Sequence, residues 1–176
     1  MKINVHAGHT RQSGKAPGAS GYVHESVIDR KIVRELIKIL KKRGHTVYNC
    51  TSNGSGARDN LQRIVKKCNR HNVDLDVSVH LNWYKGSAKG TETLIYSASS
   101  KAKPAAKRIN DNLVALGFVN RGVKVRSDLY VLHRTNAPAL LIETFFCDSK
   151  TDVKLYKKHG YKKIAKAIAD GITKGR

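Results

Sequence analysis

Two histidines and two glutamates of this 176-residue sequence have the types and placement for hydrolytic metal chemistry. His9 follows an apolar run directly, in Val5-His6-Ala7-Gly8-His9-Thr10, and His80 closes another, in Leu75-Asp76-Val77-Ser78-Val79-His80. Glutamate is scarce: the chain holds only Glu25, Glu35, Glu92 and Glu143. Glu25 stands just before Ser26 at the head of an amphipathic stretch. Glu143 lies within Leu140-Leu141-Ile142-Glu143-Thr144-Phe145-Phe146, where a carboxylate needs a partner or a task. Two imidazoles and one carboxylate around zinc leave a fourth position open to water, and a further carboxylate beside that water can take its proton. The same residues admit a plainer reading, in which Gly8 supplies permissive dihedrals to a tight turn and the histidines are half exposed. No compact H-E-x-x-H spacing decides between the two.

The elements that must position these residues follow from periodicity. Apolar residues alternate between a period of two and one of about 3.6 along the chain, which predicts an α/β domain. Strands are expected at Lys2 to Ala7, His45 to Cys50, Leu75 to His80, Thr91 to Ser97, Leu129 to His133 and Ala139 to Phe145. The most secure helix carries Ile28, Ile32, Leu36 and Leu40 on one stripe, opened by Ser26 with Asp29 three residues on and closed by Gly44. Others are expected from about Arg58 to His71, after Ser99-Ser100 with Pro104 in the first turn, from Asp152 to His159, and from Tyr161 to Thr173. The fold class is thus a twisted, mostly parallel sheet of about six strands with helices on both faces. Reactive groups of such sheets gather at the carboxyl ends of strands, where His9 and His80 fall.

Composition narrows the classes. The residues are 40% hydrophobic, spread evenly, and no run approaches the ~18 apolar residues of a membrane helix, so membrane insertion is not expected. A single domain over residues 1–176 is expected, with no linker or composition shift to mark a second, and a monomer is the simplest state. The N-terminal residues lack the charged and apolar regions of a secretory signal, which predicts synthesis in the cytoplasm. Cys50, Cys68 and Cys147 are odd in number and lack C-x-x-C spacing, so they read as small buried hydrophobes. The formal net charge of +21 favours an anionic partner.

With those residues in view, the sequence resembles the zinc-dependent N-acetylmuramoyl-L-alanine amidases of the amidase 3 type, and phage endolysin catalytic domains in particular. The matching pieces are "HAGHT", "HES", "DLDVSVHLN", "NRGVKVRSDLYVL" and "RTNAPALLIET", which occur in the family's order across nearly the whole chain. The resemblance implies one zinc ion per chain on His9, Glu25 and His80, and Glu143 as the catalytic acid–base. It implies hydrolysis of the amide between N-acetylmuramic acid and L-alanine in bacterial peptidoglycan, by a phage or prophage endolysin that reaches the wall after release and causes lysis. A mother-cell or autolytic amidase of the same chemistry is the alternative. Asn82, two residues past His80, becomes a candidate contact to substrate or to the metal ligands. His6 stands where many members carry aspartate, and Thr10 where many carry glycine, which places the surroundings of His9 in question rather than the ligand. Many endolysins add a wall-binding module, and none is expected within these residues. The basic surface would itself attract anionic wall polymers.

Two rival readings compete with this one. A pI near 10.2 is the usual first sign of nucleic-acid binding. The chain shows no helix-turn-helix pair or zinc-finger cysteines, so non-specific retention is expected but no specific nucleic acid partner. A thiol hydrolase would use Cys147 with a base such as His133, and no cysteine motif supports it.

Overall fold

The computed structural model describes residues 1–174; Gly175 and Arg176, at the end of the expected domain, lie outside the described residues. Six strands, β1 (Lys2–Ala7), β2 (Thr46–Asn49), β3 (Leu75–Asn82), β4 (Thr91–Ile95), β5 (Asn120–Val125) and β6 (Ala139–Phe146), form one sheet in the order β2-β1-β3-β6-β4-β5. β4 runs antiparallel to β6, and the other pairings are parallel. The helices are α1 (Glu25–Lys42), α2 (Ala57–Cys68), α3 (Lys103–Val114), α4 (Tyr130–Arg134) and α5 (Lys150–Thr173).

Strand alternation sorts the residues into two layers. Ile3, Val5 and Ala7 of β1, Val77, Val79 and Leu81 of β3, and Leu140 and Ile142 of β6 face α1, α3 and α5 in the larger core. On that side α1 inserts Ile28, Ile32, Val33, Leu36 and Leu40, all buried, each such side chain stabilising the fold by about 1.5–3 kcal/mol. The other side of the sheet holds a smaller cluster in which Leu94, Ala139 and Leu141 meet Ile64, Val65 and Cys68 of α2 and Val131 and Leu132 of α4. All three cysteines are buried and unpaired.

α1 ends where expected: its last carbonyls bond Arg43, and Gly44 takes φ +80° in the left-handed region that glycine enters without strain. Its start differs. The helix begins at Glu25 with His24 as cap and no side-chain cap bond, so Ser26 and Asp29 form no capping box and are both buried. Glu25 is thereby the first residue of the helix, aimed from its amino end.

The segment expected as a strand at Leu129 to His133 is instead the one-turn helix α4. Its β-branched and aromatic residues suggested a strand, but its buried residues, Val131 and Leu132, are adjacent and so cannot share a strand face. The fifth strand is Asn120–Val125, which periodicity did not reveal. It lies at the sheet edge, is half-buried at best, carries Arg121 and Lys124, and bends at Gly122, where φ is +81°. The two helices expected at the end of the chain are arms of α5, broken by Gly160 at φ +71° and ψ 163°.

Candidate metal centre

At the carboxyl ends of β1 and β3 the amino end of α1 closes over the sheet. There the Oε1 atom of Glu25 lies 3.0 Å from Nδ1 of His80 and 3.3 Å from Nε2 of His9. One donor atom from each of the three residues falls within 4.8 Å of the other two, the one such grouping among the described residues. The rings of His9 and His80 meet edge to face with centroids 4.9 Å apart. Backbone amides fix the carboxylate, since Leu81 N–H donates to Oε1 at 3.1 Å and Ala19 N–H to Oε2 at 2.7 Å.

Glycine makes this approach possible. A Cβ on Gly8 would lie 1.7 Å from the His80 ring, and one on Gly18 would lie 2.5 Å from Oε2 of Glu25 and 2.7 Å from the His9 ring. Gly18 also has φ +78°. Gly8, expected to serve a turn through its dihedrals, has no positive φ and is required for space instead.

The donor set fits a tetrahedral divalent ion. Bonds of about 2.0–2.1 Å imply ligand atoms ~3.3 Å apart, close to the separations between Glu25 and the two imidazoles. Charge agrees. Burial pushes the Glu25 carboxyl up, but its hydrogen bonds to His80 and His9 hold it well below the usual carboxylate range. For His9, burial is outweighed by the bond to Glu25 and by the charges of Glu25 and Asp29, which raise its pKa. The His9 side chain is 32% exposed, so the cluster opens to solvent on that side.

Glu143 sits one strand away, directly across from His80 in β3 and from Glu92 in β4. Its Oε2 is buried with no hydrogen-bond partner. Burial, then repulsion from Glu25 and Glu92, raises its pKa to about 8. Asn82 turns toward Glu92, donating Nδ2–H to Oε1 at 3.2 Å, and so stands beside Glu143 rather than among the three clustered donors. His6 is buried beneath the centre with Nδ1 3.4 Å from Ser78 Oγ; burial, then the charge of His80, lowers its pKa to about 3. His6 is not part of the donor cluster.

Three features escaped sequence reasoning. Asp29 is fully buried beside the centre with neither carboxyl oxygen hydrogen-bonded, and burial followed by the Glu25 charge raises its pKa to about 8. Its spacing of one turn from Glu25 was the available signal. Arg30 donates through Nη2 to the His9 carbonyl at 2.7 Å, the Ser52 carbonyl at 3.0 Å and Asn53 Oδ1 at 2.9 Å, tying the His9 loop to the segment after β2. Glu92 forms ion pairs with Arg121 at 2.7 Å and Lys124 at 2.6 Å, which rest on the unrecognised strand β5.

The thiol alternative is not supported. Cys147 is fully buried, and burial, then the charge of Asp148, pushes its thiol up to about 12, far from a nucleophilic thiolate. His133 stacks on Tyr96 at 5.6 Å instead of approaching Cys147.

The sequence profile of the N-acetylmuramoyl-L-alanine amidase family matches residues 3–174. An uncharacterised protein of Clostridium perfringens is 40% identical over 98% of the chain and 52% of its own length. The endolysin of Bacillus phage SPP1 is 35% identical over 95% of the chain and 63% of its own length. The chain thus spans about half to two-thirds of these curated relatives. Among solved structures, the catalytic domain of an endolysin targeting Clostridia difficile superposes with a TM-score of 0.91 at 34% identity, covering 99% of this chain and 97% of that one. The chain belongs to the N-acetylmuramoyl-L-alanine amidase family.

Proposed function

We propose that this member of the family is an amidase catalytic domain that hydrolyses the amide between the lactyl group of N-acetylmuramic acid and L-alanine of the peptidoglycan stem. In this reading His9, Glu25 and His80 hold one zinc ion per chain. Such an ion, when bound, acidifies a water and polarises a carbonyl oxygen.

The remaining work falls to the protein. Burial and the charges of Glu25 and Glu92 raise the Glu143 pKa to about 8, and the positive charge that an ion in the neighbouring centre would add lowers it again, so that the carboxylate form is available near neutral pH. It is poised to take a proton from the attacking water and return it to the departing alanine nitrogen. Arg30 and the amides of Ala19 and Leu81 keep His9 and Glu25 in place. Asn82 and Glu92 line an open cavity next to the strand that carries Glu143, on which the substrate would lie.

The observation that carries this reading is the convergence of three donor residues beside an unpartnered buried carboxyl. Mass spectrometry of purified peptidoglycan after incubation, with and without chelator, tests it. Peptides that begin at free L-alanine, lost on chelation, are expected; cut glycans or cross-bridges would name a different bond.

The excess of 34 Lys and Arg over 13 Asp and Glu supports a second role for the surface, the concentration of the enzyme on anionic wall polymers. Charges are screened beyond about 8 Å at physiological ionic strength, so wall retention should fall steeply with added salt. Retention unchanged at ~0.5 M salt would point to a specific receptor instead. Among the described residues no helix is long and apolar enough to cross a membrane. The endolysin of a Bacillus phage among its relatives favours action as a phage or prophage lysin that reaches the wall after release from the cytoplasm.

A further inference from the structure

Between α1 and the segment that follows β2, an open cavity of about 450 Å³ adjoins the candidate metal centre. Four of its lining residues are cations: Arg11 from the loop after β1, and Arg30, Lys31 and Arg34 from α1. No Asp or Glu lines it, and among the described residues none of the four cations forms an ion pair. Elsewhere the chain does pair its cations, as Arg43 with Asp170 and Arg63 with Asp59. A concave site with four positive charges and no carboxylate is suited to an anion.

Two further donors there lack partners. Ser26 is 1% exposed and lines the same cavity, and its Oγ has no hydrogen bond. Arg30 commits Nη2 to three acceptors, the carbonyls of His9 and Ser52 and Oδ1 of Asn53, while its buried Nε has none. An unbonded buried donor is costly, and an anion rich in acceptor oxygens would satisfy both. Burial lowers the Arg30 pKa, Asp29 opposes that, and the charges of Arg11 and Arg34 lower it further, so the three guanidiniums are near enough to repel. Negative charge among them relieves that repulsion. The position bears on function, since Arg30 bonds the backbone of His9 and Ser26 directly follows Glu25.

We infer that this cavity is a phosphate site whose partner is a phosphodiester-linked polymer of the bacterial wall, such as poly(glycerol phosphate). The choice of a wall polymer rests on the amidase reading above. Phosphate suits the donors better than a carboxylate does, because it presents oxygens in several directions and guanidinium forks match it bidentately. A repeating phosphodiester also brings further charges to the exposed Arg11 and Arg34, whereas a lone carboxylate would leave most of the positive charge unbalanced. The basic surface as a whole attracts such a polymer, and the cavity gives it one defined point of attachment beside the metal centre.

The test titrates the full chain, with its metal, with soluble poly(glycerol phosphate) at ~0.15 M salt. Arg11→Gln/Arg34→Gln should weaken binding by about tenfold or more, and Ser26→Ala, which leaves net charge unchanged, by about three- to tenfold. Lys157→Gln/Lys158→Gln removes the same charge from exposed positions of α5 outside the cavity and should weaken binding by less than about twofold. Equal losses in the two double variants, or no binding by the parent protein, would overturn the site. A single-stranded oligonucleotide bound more tightly than the wall polymer through the same arginines would overturn the choice of partner. Release of L-alanine amino termini from polymer-free peptidoglycan is measured alongside. Lost binding with release intact sinks the site alone, whereas binding without release sinks the amidase reading.

Discussion

The two sides of the central sheet carry different residues for different ends. Toward α1, α3 and α5 the strands present Ile3, Val5, Val77, Val79, Leu140 and Ile142, a continuous apolar surface. The other side, on the same strands and one residue out of phase, presents Asn4, His6, Asp76, Ser78, His80 and Glu143. The lower part of that side is sealed by α2 and the short α4, and its polar groups find one another, as where Asn4 Nδ2 donates to Asp76 at 2.7 Å. The upper part is covered by neither of these helices, and there the His80 ring meets Glu25 at the amino end of α1 while Oε2 of Glu143 has no hydrogen-bond partner. One face supplies stability without function, and the other gives up apolar burial to hold groups that a core could not accept.

Neighbouring substitutions on β6 separate the two sides most sharply. Glu143→Gln should lower hydrolysis of purified peptidoglycan by about 10²- to 10⁴-fold while metal content, measured by atomic emission on dialysed protein, stays at the parental level. His80→Ala should lose both metal and hydrolysis, and an active Glu143→Gln protein would break the division of roles. Gly8→Ala, which drives a methyl group into the His80 ring, should weaken metal affinity by about 10- to 100-fold in chelator competition, with the helical circular dichroism unchanged. Ile142→Ala, one residue before Glu143 but facing the large core, should cost about 2–5 kcal/mol of unfolding free energy and leave the activity of the folded fraction intact.

The smallest expected effect is in pH. The folded-state pKa of Glu143, about 8, lies above its unfolded value, so the folded chain holds a proton that the unfolded chain has already lost. Stability from this group is therefore present at low pH and declines as pH rises from about 4.3 toward 8. In metal-free protein, Glu143→Gln should flatten the fall of Tm across that window by calorimetry. An unaltered slope would mean that the carboxyl is paired in solution.

The polar side was more legible in sequence than the edge of the sheet. His9, His80 and Glu143 stood out because each interrupts an apolar run, and Glu25 because glutamate is rare. Their interruption is the physical trace of a site, since apolar context makes a charged group costly. The apolar face was legible through period alone, which is why β1, β3, β6 and α1 lie close to where they were expected. β5 left no such trace: an edge strand with one solvated face, a glycine bend and two basic residues has no alternation to detect. The spacing of Asp29 from Ser26 suits a capping box, yet the helix starts two residues earlier, with His24 as its cap, and turns that carboxyl inward. A helix start is decided by tertiary contacts of Glu25 that no local pattern contains.

The position of β6 has a consequence for synthesis. It is the last strand to leave the ribosome, yet it lies between β3 and β4, so the sheet cannot be closed until it is inserted. The two halves of the row His80, Glu143 and Glu92 across the sheet meet only through it. The candidate metal cluster is itself non-local, joining residues 55 positions apart in Glu25 and His80, and such contacts form late in folding. A nascent chain still lacking β6 has no Glu143 and an open sheet. Insertion of β6 is therefore the step that completes both the sheet and the row of polar groups across it.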